Sequence, residues 1–355
     1  MVPSEHTGLI AVARGRKLAR VLSGAAGGVA LAAFAGDPAA AQGSAEYFKG
    51  KTVSIVIGFG PGGANDVWAR AIARHIPRHW PGSPGVVVQN QPGAGGLTLI
   101  NQLAAIAPRD GTTIGLISRG IPLEPLLGGQ GVQVDPRQLT WIGSPDRDTT
   151  VCAARKDAAV QRMQDLFDKE LVVGATGSGA DTAVYPEFLS ALLGMKFRTV
   201  KGYKGSNEIF LAMERGEVQG ICLANDSLAR TPIMREGRAG ILFQAGLKPD
   251  PRLSDVPVGI DLARTVAERE ALHLFFARVA LGRPFVAPPG LARERVAAIR
   301  AAFSATLADR EFIEDAAKQG LTVDAISGEE IAGIIEDAYK TPAETIARTT
   351  KALGR

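Results

Sequence analysis

Twice along this chain a β-branched run gives way, through a turn crowded with glycine, to a helical stripe. The first instance is "VSIVI", "GFGPGGAND" and "VWARAIARHI" over 53–76; the second is "LVVGATG", "SGADT" and "AVYPEFLSALL" over 171–193. Trp68, Ile72 and Ile76 fall on one helical face, at the spacing that buries an amphipathic helix. In the first unit the alternation continues as the strand "GVVVQNQ", the helix "GGLTLINQLAAIA" and the strand "GTTIGLIS". In the second it continues as "FRTVKGY", "SNEIFLAMERG", "VQGICLAND" and the helix "SLARTPIMREG". Strands alternating with helices at this spacing predict parallel sheets covered on both faces.

Between the two units, "LTWIGSPDRDTTVCAAR" is an extended stretch that suits a crossing segment, and "AGILFQAG" at 239–246 suits the return. A strand-like "LFFARVALGRPFVAPPG" then leads to helices in "ARERVAAIRAAFSATLADREFIEDAAKQG" and "GEEIAGIIEDAYK". The expected fold class is α/β, with two α/β lobes joined by two crossing segments, a hinged clamshell. One lobe takes 48–145 with 245–355, and the other takes 146–244.

Residues 1–41 read as an export signal. Arg14, Arg16, Lys17 and Arg20 make a positive region, Val21 to Phe34 is apolar, and Ala39 and Ala41 offer a cleavage site near Ala41. The apolar part is short and rich in Gly and Ala for a permanent span, which takes about 20 strongly apolar residues. Removing this segment takes away four basic and two acidic groups, so the formal charge falls from +4 to +2. No long basic run remains to argue for nucleic acid. The expected location is the periplasm, an oxidising compartment. Cys152 and Cys222 both lie in strand-like runs. Two buried thiols are the favoured reading; a disulfide requires those strands to be neighbours.

Glycine lets a turn take positive φ and lets a ligand approach bare backbone. A helix N-terminus adds unpaired N–H groups and partial positive charge, so each glycine turn is an anion site in waiting. In open α/β sheets ligands lie beyond the carboxyl ends of the strands, where these turns are. The alternative for each turn is a plain connection capped by Asn65 or Asp66 in the first and by Ser178 or Asp181 in the second. Two such turns on facing lobes favour one shared binding cleft.

Neither turn has the Lys-Ser/Thr of a P-loop. Gly58, Gly60 and Gly63 formally match a dinucleotide fingerprint, but "VVVQN" ends in amides where that motif wants an acid. There is no G-x-S-x-G elbow and no H-E-x-x-H. His75 and His79 have i, i+4 spacing, yet Pro77 stands between them and no carboxylate nearby in sequence completes a metal site. His273 is expected in the core. No cofactor and no metal are expected.

The stretches "VSIVIGFGPGGANDVWARAIARHI" and "VVVQNQPGAGGLTLINQLAAIAPRDGTTIGLIS" resemble the solute receptors of tripartite tricarboxylate transporters, the Bug-type binding proteins. The family pattern of a G-G-x-x-D turn, an E-N-x-x-G-A-G-G segment and a D-G-T/Y run is matched in three places. These are Gly62, Gly63 and Asp66; Asn90, Gly93, Ala94, Gly95 and Gly96; and Asp110, Gly111 and Thr112. Gln89 stands where the family commonly has glutamate. The likeness continues as "GATGSGA", "YKGSNEIFLAMERGEVQG", "PRLSDVPVGIDLA" and "FVAPPGLARERVAAI", covering about 50 to 320.

The resemblance implies a periplasmic-binding-protein type II fold and a carboxylate ligand held mainly by backbone N–H groups and hydroxyls of the two turns. By position those are Phe59, Gly60, Pro61, Gly62, Gly63 and Ala64, beside Asn65 and Asp66, and Ala175, Thr176, Gly177, Ser178, Gly179 and Ala180. Ser118 and Arg119 follow the third strand, where the pocket is usually completed. Arg119 either pairs with a distal carboxylate or points to solvent. Asp226 either receives a ligand hydroxyl or amino group or caps a helix, and Tyr203 is a pocket wall or an interlobe strut. The function expected is an exported, non-enzymatic, monomeric receptor. It would deliver a di- or tricarboxylate, aromatic acid or amino acid to membrane permease subunits. A membrane sensor as partner, and an exported hydrolase with Ser178 as nucleophile, are the alternatives.

Overall fold

The computed structural model describes residues 46–355 other than Asp148, and the backbone alone of Gly95. The expected signal segment lies outside the described residues. The run "TVSIVI" forms β1 (Thr52–Ile57), in which Val53, Ile55, Val56 and Ile57 are all buried because both sheet faces are covered. Helix α1 (Ala64–His75) lays Trp68, Ala69, Ala71 and Ile72 against it. With β2 (Gly85–Asn90), α2 (Leu97–Ala105) and β3 (Thr113–Leu116), this gives a parallel unit in which β1 lies between β2 and β3.

Strand β4 (Thr140–Ser144) closes the first passage, and β5 (Thr150–Arg155) opens the second sheet. There β6 (Leu171–Ala175) lies parallel to β7 (Phe197–Lys201) and β8 (Gly220–Ala224). Helices α3 (Asp181–Leu193) and α4 (Ser206–Arg215) connect them. The single helix expected at 227–237 is two short ones, α5 (Asn225–Ala229) and α6 (Pro232–Arg235). Pro232 has no N–H to continue the first and instead starts the second. Strand β9 (Ala239–Ala245) ends the second sheet. The chain then runs through α7 (Val266–Phe276), β10 (Phe285–Ala287), α8 (Arg293–Ala308), α9 (Arg310–Lys318), β11 (Ile326–Ser327), α10 (Gly328–Tyr339) and α11 (Ala343–Ala352).

The six-stranded sheet has the order β11-β4-β10-β3-β1-β2 and the five-stranded sheet β7-β6-β8-β5-β9. This is the two-lobed α/β architecture, with one difference from the expectation of purely parallel sheets. The strands that run against the βαβ strands are β10 and β11 in the first sheet and β5 in the second; β9, antiparallel to β5, runs in the same direction as β6, β7 and β8.

Three local expectations change. Cys152 and Cys222 sit directly opposite on antiparallel β5 and β8 and form a disulfide, so they are not two thiols. The strand-like stretch at 274–290 is strand only at β10; its start completes α7. His273 is exposed, because on that helix the core face is taken by Leu272, Phe275 and Phe276. Two parts of 245–355 share the core of the second sheet. Phe275 stacks on Phe188 at 3.8 Å between centroids, and Ala352 at the end of α11 joins the same cluster. Among the described residues no helix is long and apolar enough to cross a membrane.

Candidate functional site

The carboxyl ends of the parallel strands in both sheets open onto one cleft of about 700 Å³. From the first sheet it is lined by most of the turn 58–65, by 92–94 with Leu97, and by Ile117, Ser118 and Arg119. From the second it is lined by 176–182, by 203–207 and by residues around Ala224; Gly282 and Arg283 complete it.

The first turn is built around Asp66. Its carboxylate accepts from the Gly62 N–H at 2.9 Å, from Arg70 Nε at 3.0 Å and from Asn90 Nδ2 at 2.9 Å, and the same Asn90 amide reaches Phe59 O. Burial raises the Asp66 pKa, but the bonds from Arg70, Gly62 and Asn90 outweigh it and hold the carboxyl below its ordinary value. Gly62 has φ +80°, open to glycine at little cost. A Cβ on Gly58 would stand 2.8 Å from Gly96 Cα, so the two turns of this lobe touch through bare backbone.

In the second turn the Thr176 N–H is taken by Thr182 Oγ1 at 3.1 Å and the Ala180 N–H by Gly177 O. The residues that remain line the cleft. Among the described residues, the N–H groups of Gly60, Gly63, Gly177, Ser178 and Gly179 take part in no turn or loop backbone hydrogen bond. The helices that begin at the cleft are N-capped by Gly63, Gly96, Ala180 and Gly205, none with a side-chain bond. Elsewhere, the helices starting at 266, 310 and 328 are capped by the side chains of Thr265, Asp309 and Ser327, whereas those starting at 232, 293 and 343 have no side-chain cap. At the cleft, no side chain takes up the helix-start donors or their partial positive charge.

Arg119 is buried in the wall of the cleft and does not point to solvent. Its Nε donates to Asp181 Oδ2 at 2.9 Å and its Nη2 to Thr150 Oγ1 at 2.5 Å, both on the second sheet's side. Arg283, equally buried, pairs with Asp146. Burial and then Arg119 pull its guanidinium down to about 9, the Asp146 contact opposes them, and it stays cationic at neutral pH.

Fourteen of the eighteen residues expected at the site line the cleft; Gly62, Asp66, Ala175 and Asp226 do not. Asp226 is inside α5 and pairs with Arg252 Nη1 at 2.9 Å, so it neither caps the helix nor faces the cleft. Asn65 and Asp66 lie within α1 and Asp181 within α3, each one or more positions past its cap. Tyr203 is a wall, its ring against Gly174. Ser178 Oγ accepts from Lys201, which is ion-paired with Glu187. His75 and His79 are bonded to Asp315 and Asp309 near α9. Sequence reasoning did not single out Asp181 as a cleft group, nor the turn 204–207. The strand-turn-helix signal of "VKGYKGSNEIF" is the same one that marked the other turns, and could have found the latter.

Residues 69–350 match the profile of the family described as "Tripartite tricarboxylate transporter family receptor". A curated relative, "UPF0065 protein in gbd 5'region" of Cupriavidus necator, is 28% identical over 254 residues, 68% of this chain and 74% of that protein. Among solved structures, the periplasmic binding protein BugD matches with a TM-score of 0.65 at 22% identity, over 85% of this chain and 97% of that one. R. palustris Rpa4515 with adipate gives 0.65 at 20% identity, over 86% and 97%.

Proposed function

Because the chain belongs to the tripartite tricarboxylate transporter receptor family, a family of solute-binding receptors, we propose that it is an exported receptor for a small carboxylated solute. It holds the solute between its two lobes and delivers it to a membrane permease of that transporter type. The observation that carries this reading is the pair of facing glycine turns with unspent N–H groups at the starts of α1 and α3. Such groups hold a carboxylate by oriented dipoles and need no free cation. Closure of the lobes on the solute removes it from water and creates the form a permease would recognise.

The test is a thermal-shift screen of residues 42–355 against mono-, di- and tricarboxylates, aromatic acids, amino acids and nucleotides. A ligand confined to the folded state raises the melting temperature with the logarithm of its excess over Kd. A shift with a carboxylate class supports the receptor reading. A shift with nucleotides alone overturns it.

A further inference from the structure

Both buried arginines that line the cleft are already matched to carboxylates of the chain itself, Arg119 to Asp181 and Arg283 to Asp146. Arg119 follows β3 in the first sheet, whereas Asp181 opens α3 and Thr150 opens β5 in the second, so this pair bridges the two walls of the cleft. Asp181 commits Oδ2 to Arg119, while its Oδ1 is buried and accepts no hydrogen bond. Lys204 is exposed at the cleft's edge, with its charge available to water.

A ligand whose first carboxylate sits on the glycine turns has two options at its far end. A second carboxylate that takes Arg119 or Arg283 as its counter-ion leaves the part-buried Asp181 or the buried Asp146 without its partner. Breaking a buried pair in this way is strongly unfavourable. A hydroxyl, amide or ammonium group can instead donate to the Asp181 carboxylate, which lines the cleft and is partly exposed, and leave the Arg119 pair intact.

We infer, resting on the carboxylate reading above, that the Arg119–Asp181 pair determines specificity. It selects solutes with one carboxylate at the turns and a hydrogen-bond donor, not a second carboxylate, at the other end. Asp181→Asn removes the internal counter-charge and turns Arg119 into a receptor for a distal carboxylate.

The experiment is calorimetric titration of the wild-type mature chain and of Asp181→Asn with two matched series. These are hexanoate, 6-hydroxyhexanoate, 6-aminohexanoate and adipate, and butyrate, 4-hydroxybutyrate, 4-aminobutyrate and succinate. In at least one series the wild type is expected to bind the hydroxy or amino acid roughly ten-fold or more tighter than both the unsubstituted acid and the diacid. Asp181→Asn is expected to reverse the order in favour of the diacid. A wild type that binds the diacid as tightly as the hydroxy or amino acid overturns the inference while leaving the carboxylate reading in place, and this arm needs no variant to fold. An order unchanged in a folded Asp181→Asn protein overturns it as well. Failure of all eight compounds to bind either protein counts against both readings.

Discussion

The backbone N–H of Gly62 donates to the Asp66 carboxylate at 2.9 Å, across the single turn that joins β1 to α1. That bond, with those from Arg70 and Asn90, makes Asp66 the organiser of the turn, and Asp66 is not among the residues that line the cleft. The pKa is depressed, so its contribution is complete above the ordinary value of 3.8 and is lost as pH falls through the lowered one. Solute affinity should accordingly be flat from neutral pH down to about 4 and drop below it. Asp66→Asn should lower stability by roughly 1–3 kcal/mol and remove Asp66's part of the low-pH drop. Binding isotherms across a pH series on both proteins check this.

Gly58 and Gly60 are two residues apart and should answer differently to alanine. At Gly58 the methyl meets the Gly96 Cα at 2.8 Å, backbone on backbone, so both turns must shift. A loss of roughly 1–3 kcal/mol and weakened binding are expected. At Gly60 nothing lies within 4 Å, and stability should stay within about 0.5 kcal/mol while a group in the cleft weakens binding. Denaturant melts paired with titrations separate the two.

The Cys152–Cys222 disulfide closes a separation of 70 residues between neighbouring strands. Loop-closure entropy puts its worth at roughly 4 kcal/mol. Thiol titration of the unfolded, unreduced protein should find no free thiol, and the Cys152→Ala/Cys222→Ala protein should show a midpoint lowered by about that free energy.

Phe275, fully buried, stacks on Phe188 from a helix on the return passage of the chain. Phe275→Ala should cost roughly 3–5 kcal/mol. Hydrogen exchange should place the loss in β5–β9 and α3, leaving β1–β3 protected. Equal loss in both sheets would contradict the shared core described above.

Where strand and helix periods were strong the sequence was sufficient. "VSIVI", β-branched and ended by a glycine turn, reads as a strand, and the glycine turns read as helix starts rich in N–H groups, because those outcomes depend on neighbours a few residues apart. His273 was misread because a short apolar run at 274–281 does not distinguish helix from strand by period alone.

The sequence by itself therefore determined the α/β alternation, the two anion-friendly turns and the family pattern around Gly62, Gly63 and Asp66. The tertiary structure decided what long-range pairing decides. Cys152 meets Cys222 only through the register of β5 on β8, and Asp226 turns away to Arg252. Arg119 is spent on Asp181, 62 residues on, in the other wall of the cleft. Each of these is a choice of partner among groups far apart in the chain, and a buried charge takes whichever partner the packing brings within reach.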